Sequence, residues 1–405
     1  MGRRLTVQSR KARWKDYCFA IPTRHARKLR GHKPADCNTN VIIVGNDPTV
    51  SLSLYDQNHN CRDSERPMSS RVEISGLIPA PTISASKATR LRIQIPLPEI
   101  LLASAFVLTG FLISLYFGLP ISLPASKSLA FTGLGNLVPM LIVVAGLLIT
   151  LVTQRAGRTL YFATALIAYG AILIMHFNIK LWVHVINPSL WDEEFWRIDE
   201  MLRPLVSGSI IFHNGLATFI GPVDWLYLFA FLAMFVCSII VHSSRSFLVF
   251  REMILTAMLV HVLGGLSYLV TPALGPFIYE PGVNALETQR QIFMLAAHEA
   301  ALPGGISWFQ TQGSEFLATG LAAMPSLHVA SSAVFVYYAW KHERHLSWFY
   351  LPLFGFIMIE AVATRWHYLV DIVAGLGLTA VAIFIVDWFF RRWMPPIAGE
   401  NQPVR

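Results

Sequence analysis

Eight apolar runs of near-membrane length follow one another from Glu99 onward: Ile100–Leu119, Asn136–Val152, Leu160–Ile179, Asp224–Val241, Met253–Val270, Ser326–Trp340, Ser347–Ala363 and Tyr368–Phe389. A helix needs about 20 apolar residues to cross a bilayer. Inside lipid every backbone N–H and C=O must be satisfied within the protein, as it is in a helix. The expected fold class is therefore all-α, a polytopic membrane helix bundle with about eight transmembrane helices. Composition agrees, since 14% of the residues are charged against about 25% in soluble domains.

The formal net charge of +8 invites a nucleic-acid reading, but the basic residues gather in the first hundred positions and in short loops, as membrane topology requires. No nucleic acid is expected as a partner. Cys18, Cys37, Cys61 and Cys237 show no paired spacing that would suggest a disulfide framework or a zinc site. Residues 1–97 hold dense basic runs with no lasting helical or strand period, and are read as a disordered basic cytoplasmic tail. Translation from Met68 is the alternative reading of that segment. Residues 98–395 form the expected membrane-embedded catalytic domain, and 396–405 a C-terminal tail.

The charges fix a topology. Arg155 and Arg158, Arg245 and Arg251, Lys341 and Arg344, and Arg391 with Arg392 fall at alternate turns. With the basic N-terminal segment, they place both termini in the cytoplasm by the positive-inside rule. The long segments 185–223 and 271–323 then face the other side. In the first of these, Trp191, Phe195, Ile198, Leu202 and Leu205 recur at spacings of three and four, with Asp192, Asp199 and other charges in the gaps. That pattern predicts an amphipathic helix lying in the interface or over the bundle mouth. Pro272-Ala273-Leu274-Gly275-Pro276 predicts irregular backbone, tolerated at membrane depth only where it lines a cavity or is buried in protein.

Two polar islands open the sixth and eighth runs: Met324-Pro325-Ser326-Leu327-His328 and Thr364-Arg365-Trp366-His367-Tyr368-Leu369-Val370-Asp371. Ionisable groups at such depth are costly and mark functional sites. His367 and Asp371, four apart, would share a helix face; the carboxylate would hold the Nδ1 proton and leave Nε2 as a nucleophile. His328 is placed to protonate a leaving alkoxide. Arg365 offers a planar fork for phosphate oxygens. Pro325 suits a first helical turn, leaving the backbone donors beside Ser326 and Leu327 as an anion site. The set needs no metal and no cofactor to move a phosphoryl group. A zinc site on His328, His367 and Asp371, a Ser326 nucleophile, and a transporter using these groups as a proton relay are the competing readings. Both histidines fall on the extracytoplasmic side.

The two islands resemble the second and third signature motifs of the type 2 phosphatidic acid phosphatase superfamily, specifically over about 320–375. The branch they look most similar to is the inositolphosphotransferases, including inositol phosphorylceramide synthase. The resemblance implies a core of that type, with His367 carrying the phosphoryl group, Asp371 orienting it and His328 acting as the acid. It implies a phospholipid or lipid phosphate as substrate. A lipid phosphate phosphatase, of the phosphatidate or polyprenyl diphosphate type, is the alternative. Two features depart from the phosphatase pattern. Arg365 stands two residues before His367 rather than six, and the first motif, a lysine followed seven residues later by Arg-Pro, has its nearest echo in Arg197 and Arg203-Pro204.

Overall fold

The computed structural model describes residues 39–44, 51–56, 97–131, 137–153, 156–221, 223–280 and 285–393. The chain divides into two units, Met1–Ser86 and Lys87–Arg405. In the first, β1 (Thr39–Val44) pairs antiparallel with β2 (Ser51–Asp56), from Thr39 opposite Asp56 to Val44 opposite Ser51. The rest of the segment expected to be a disordered tail, and the C-terminal tail 396–405, lie outside the described residues.

The described elements of the second unit are all helical, in this order: α1 (Leu97–Phe117), α2 (Ser126–Phe131), α3 (Leu137–Thr153), α4 (Ala156–Ile186), α5 (Asp192–Met201), α6 (Arg203–Ile220), α7 (Asp224–Arg245), α8 (Phe247–Val270), α9 (Ala285–Phe316), α10 (Leu327–His342), α11 (Arg344–Ala363) and α12 (Leu369–Trp393). This is the expected all-α membrane bundle. All eight expected runs are helices, but six are long and apolar enough to cross a membrane: α1, Arg158–Ile186 of α4, Trp225–Arg245 of α7, α8, α11 and α12. The difference lies in α3 and α10, with 17 and 16 residues. At 1.5 Å per residue these rise only about 25 Å, short of the ~30 Å hydrocarbon core.

Helix ends sort by chemistry. At one end Arg251 Nε lies 3.4 Å from Glu99, Arg245 3.7 Å from Glu343, and Lys341 3.8 Å from Asp387. These pairs tie together the starts of α1 and α8, the turn after α10 and the last turns of α12. The basic loops thus share one end of the bundle. The starts of α10 and α12 share the other, where the Ser326 N–H meets the Asp371 carbonyl at 3.1 Å.

The segments between the expected spans hold more helix than the apolar pattern shows. α9 is kinked where Pro303 stands inside it and Gly305 leaves helical geometry at φ 51°. The amphipathic helix expected from Trp191 to Leu205 is broken at Leu202 into α5 and α6, and its buried side is mixed in character. Its α5 portion buries Asp192, Phe195 and Asp199, while Trp191, Leu202 and Leu205 are exposed. The carboxylates face inward because they meet donors there.

Candidate active site

α12 begins at Leu369, so His367 precedes the helix instead of sharing its face with Asp371. The expected pairing survives by another route. Asp371 stands in the first turn and its Oδ2 accepts the Tyr368 N–H at 2.9 Å, the backward reach of a capping box. That bond orients the carboxylate, and the His367 Nδ1 lies 3.2 Å from the same oxygen. Nδ1 also lies 2.9 Å from the Ala323 carbonyl. Both neighbours are acceptors, so the proton is assigned to Nδ1 and the lone pair to Nε2. His367 keeps 13% of its side chain exposed, whereas Asp371 is fully buried and its Oδ1 has no partner.

The second island differs from expectation in two ways. Pro325 precedes the helix and its cap, joined to Met324 by a cis peptide; the first helical residue is Leu327. Ser326 is the N-cap, fully buried, with its N–H bonded to the Asp371 carbonyl. It therefore cannot present that donor to an anion. Leu327 and His328 hold the first two helical positions, where N–H groups have no intrahelical acceptor, and the Leu327 side chain packs against Gly264. His328 is exposed, its ring 5.3 Å from that of Tyr227 and 5.1 Å from that of Phe231. His367 and Lys180 are both close enough to act on it electrostatically.

Gly375 lets the two islands approach. A Cβ there would lie 2.6 Å from the Ser326 carbonyl oxygen, which is backbone and cannot rotate aside. Gly375→Ala is expected to cost about 1–3 kcal/mol by overpacking, and to lower activity further by parting His328 from His367. A thermal-shift and activity comparison with Gly377→Ala, where nothing lies near the added carbon, checks this.

Arg365 is not the free fork its position suggests. It takes up left-handed backbone at φ 62° and is fully buried, with NH1 3.4 Å from Asp199 Oδ2 and Nε 3.4 Å from Glu280 Oε2. Its guanidinium lies 5.4 Å from the centre of the Trp196 ring. Asp199 also accepts the Leu369 N–H at 2.9 Å, so one carboxylate fixes both Arg365 and the start of α12. Burial pushes Asp199 above its ordinary carboxylate range, opposed by that N–H and by Arg365. Glu280 is held below its range by its bonds to Arg203. Removing one partner of such a buried pair costs about 3–5 kcal/mol.

Asp192 does the same for the irregular Pro272–Pro276 loop. It accepts the Leu274 and Gly275 N–H groups at 2.9–3.0 Å and the Tyr368 hydroxyl at 2.8 Å. The Ala323 N–H donates to the Ala273 carbonyl at 2.9 Å. The loop is thus buried in protein beside both islands, as its composition requires. Gly275 adopts φ 124°, and a Cβ there would come within 2.9 Å of the Trp366 carbonyl.

Sequence reasoning passed over Lys180. Its ammonium lies 5.7 Å from the centre of the Tyr268 ring, near the end of α4 and within electrostatic reach of His328. It stands seven residues before Asn187-Pro188, the first-motif spacing with asparagine in place of arginine. That spacing was the signal available. The echo expected at Arg197 and Arg203 lies elsewhere: Arg197 pairs with Glu193 on the surface, and Arg203 with Glu200 and Glu280. Among the described residues, no three His, Cys, Asp or Glu side chains converge to hold a metal ion.

Residues 193–385 match the family model of the PAP2 superfamily. The match covers 193 of the 405 residues, begins in α5 and takes in both islands. It therefore falls on the family that the motifs resemble. No curated protein and no solved structure gives a significant match to the chain.

Proposed function

We propose that the protein is a membrane enzyme that transfers a phosphoryl group on a lipid by a two-step route through phospho-His367. The observation that carries the reading is the His367 Nδ1 held between Asp371 and the Ala323 carbonyl, which leaves Nε2 as the nucleophile. In the first step Nε2 attacks phosphorus, the phosphorus–oxygen bond breaks, and His328 gives its proton to the departing alkoxide. In the second an acceptor O–H attacks the phosphohistidine and its proton passes to His328. Asp371 stabilises the imidazolium that forms in between. Lys180, with the first N–H groups of α10, supplies positive potential for the phosphate oxygens. Arg365 supports the site from behind, through Asp199 and the start of α12.

The acceptor decides the product. The departures from the phosphatase motifs favour an inositolphosphotransferase-like transfer to an alcohol, and water as acceptor would make the enzyme a lipid phosphate phosphatase. Purified protein in nanodiscs, given phosphoinositides and lipid phosphates with and without alcohols, is expected to yield transferred product that persists in excess chelator. Free phosphate alone would select the phosphatase reading. Loss on chelation with recovery on adding zinc would select the metal reading.

Both histidines belong to the bundle end opposite the basic loops, and the positive-inside rule puts that end outside the cytoplasm. In a cysteine-free background, a membrane-impermeant thiol reagent is expected to label Thr311→Cys on intact cells and to spare His345→Cys. The reverse pattern would put the site in the cytoplasm.

A further inference from the structure

A second pair of imidazoles has no part in the steps above. His184, on α4, and His298, on α9, bring their rings to 4.6 Å between centres, nearly perpendicular at 79°. His184 is buried, and its Nε2 lies 2.6 Å from the Leu321 carbonyl. A carbonyl can only accept, so the proton is assigned to Nε2 and the lone pair to Nδ1. That Nδ1 is buried without a partner, which is costly for an acceptor.

An imidazole that gives one ring N–H to a backbone carbonyl and keeps a lone pair on the other nitrogen has the outer bond of a metal-ligating histidine, which fixes tautomer and ring orientation. Both rings line a small cavity where α4, α9 and residues 319–321 meet. Its volume is about 10 Å³, room for one water or one ion, so no organic ligand fits. Thr319, the other polar side chain in the lining, already donates its hydroxyl to the Phe316 carbonyl at 2.7 Å. Zinc–nitrogen bonds are about 2.0–2.1 Å long, so a single ion can reach one nitrogen of each ring at this separation. His298 is only half-buried, which leaves an entry path.

We propose that His184 Nδ1 and His298 bind a divalent transition cation of the zinc class, with water in the remaining positions. Imidazole suits such ions, whereas magnesium and calcium take oxygen ligands. The site is distinct from a zinc ion on His328, His367 and Asp371, and it stands independently of the phosphohistidine reading. Two side chains are a partial ligand set, so no trio marks the place among the described residues. The ion fastens α9 to α4 beside the strap formed by residues 320–323. That strap already presses on the α4 backbone, since a Cβ on Gly320 would lie 2.7 Å from the Lys180 carbonyl. Its far end supplies the Ala323 carbonyl that meets the His367 Nδ1. The ion itself touches no reacting atom, so removing it lowers stability and leaves turnover standing.

The test titrates zinc chloride into the full chain, purified on a tag without histidine, stripped with chelator and held in phosphatidylcholine nanodiscs. Bound metal is counted after gel filtration, and the unfolding temperature is read alongside. The wild type is expected to retain about one zinc per chain and to unfold at a higher temperature with it, since an ion that binds only the folded state stabilises it. His298→Gln and His184→Gln are each expected to weaken binding about a hundredfold or more, because losing even an outer partner of a ligand costs 10–100-fold. Glutamine at 184 keeps an amide N–H for the Leu321 carbonyl, and the half-buried position 298 guards against a folding failure there. His367→Ala should bind as the wild type does. A monodisperse wild type that holds no zinc, or unchanged binding in His298→Gln, overturns the proposal. Binding lost in His367→Ala and kept in His298→Gln also overturns it, and moves the ion to the catalytic pair. The phosphohistidine reading is judged separately, by turnover of the stripped protein.

Discussion

His367→Ala is expected to abolish turnover on every donor, while His328→Ala slows phosphoenzyme formation only where the leaving group needs a proton. Deleting a nucleophile removes the covalent route altogether, a loss on the order of 10⁴ or more. Deleting a general acid costs about 10²–10⁴ on an ordinary alkoxide and little on a leaving group that departs unprotonated. An aryl phosphate with an acidic phenol separates the two. On it, His328→Ala should form phosphoenzyme at close to the wild-type rate and, with its second step impaired, accumulate it as an acid-labile species. His367→Ala should show neither. Equal loss in both variants on both substrates would break the assignment of nucleophile and acid.

The chemical core of this prediction was legible in the sequence because ionisable residues stand out inside apolar runs. His328, His367 and Asp371 each interrupt hydrophobicity at a helix mouth, and the four-residue spacing of the last two suggested their contact. Their partners were not legible. Arg365 looked like a free cation because Asp199, which binds it, lies 166 residues away. Asp192 and Asp199 were assigned to the outer face of α5 because an amphipathic pattern tracks apolar residues alone. Burial at those positions is decided instead by N–H donors at Leu274, Gly275 and Leu369, which only the tertiary fold brings near.

The same contrast holds for the fold. All eight apolar runs were visible as helices, since burial in lipid leaves an uninterrupted signature. α6 and α9 were not, because neither holds a continuous apolar stretch of membrane length. Lys180 was hidden for the opposite reason. It sits at the end of a long apolar helix, where a lone lysine reads as an interfacial anchor, and the motif spacing it keeps ends on Asn187 in place of arginine.

Asp371→Asn is expected to reduce turnover by about 10³–10⁴ while the protein still folds, the scale found where a carboxylate orients a catalytic imidazole. Asparagine can still accept the Tyr368 N–H through its carbonyl oxygen, so the start of α12 stays capped. It cannot stabilise the imidazolium that forms as His367 attacks. Turned over, so that its amide N–H₂ faces the ring, it favours the tautomer with the lone pair on Nδ1 and the proton on Nε2 and gives up the Tyr368 N–H bond, since one oxygen meets both groups. The Ala323 carbonyl, 2.9 Å from Nδ1, opposes that flip, and for this reason some activity should remain, unlike in His367→Ala. Asp371→Ala is expected to lose both the cap and the imidazolium partner, and to fall in thermal stability as well. The decisive measurement is the rate of phosphoenzyme formation under single turnover, alongside the unfolding temperature. A normal rate in Asp371→Asn would remove the carboxylate from the chemistry and leave it as a helix cap.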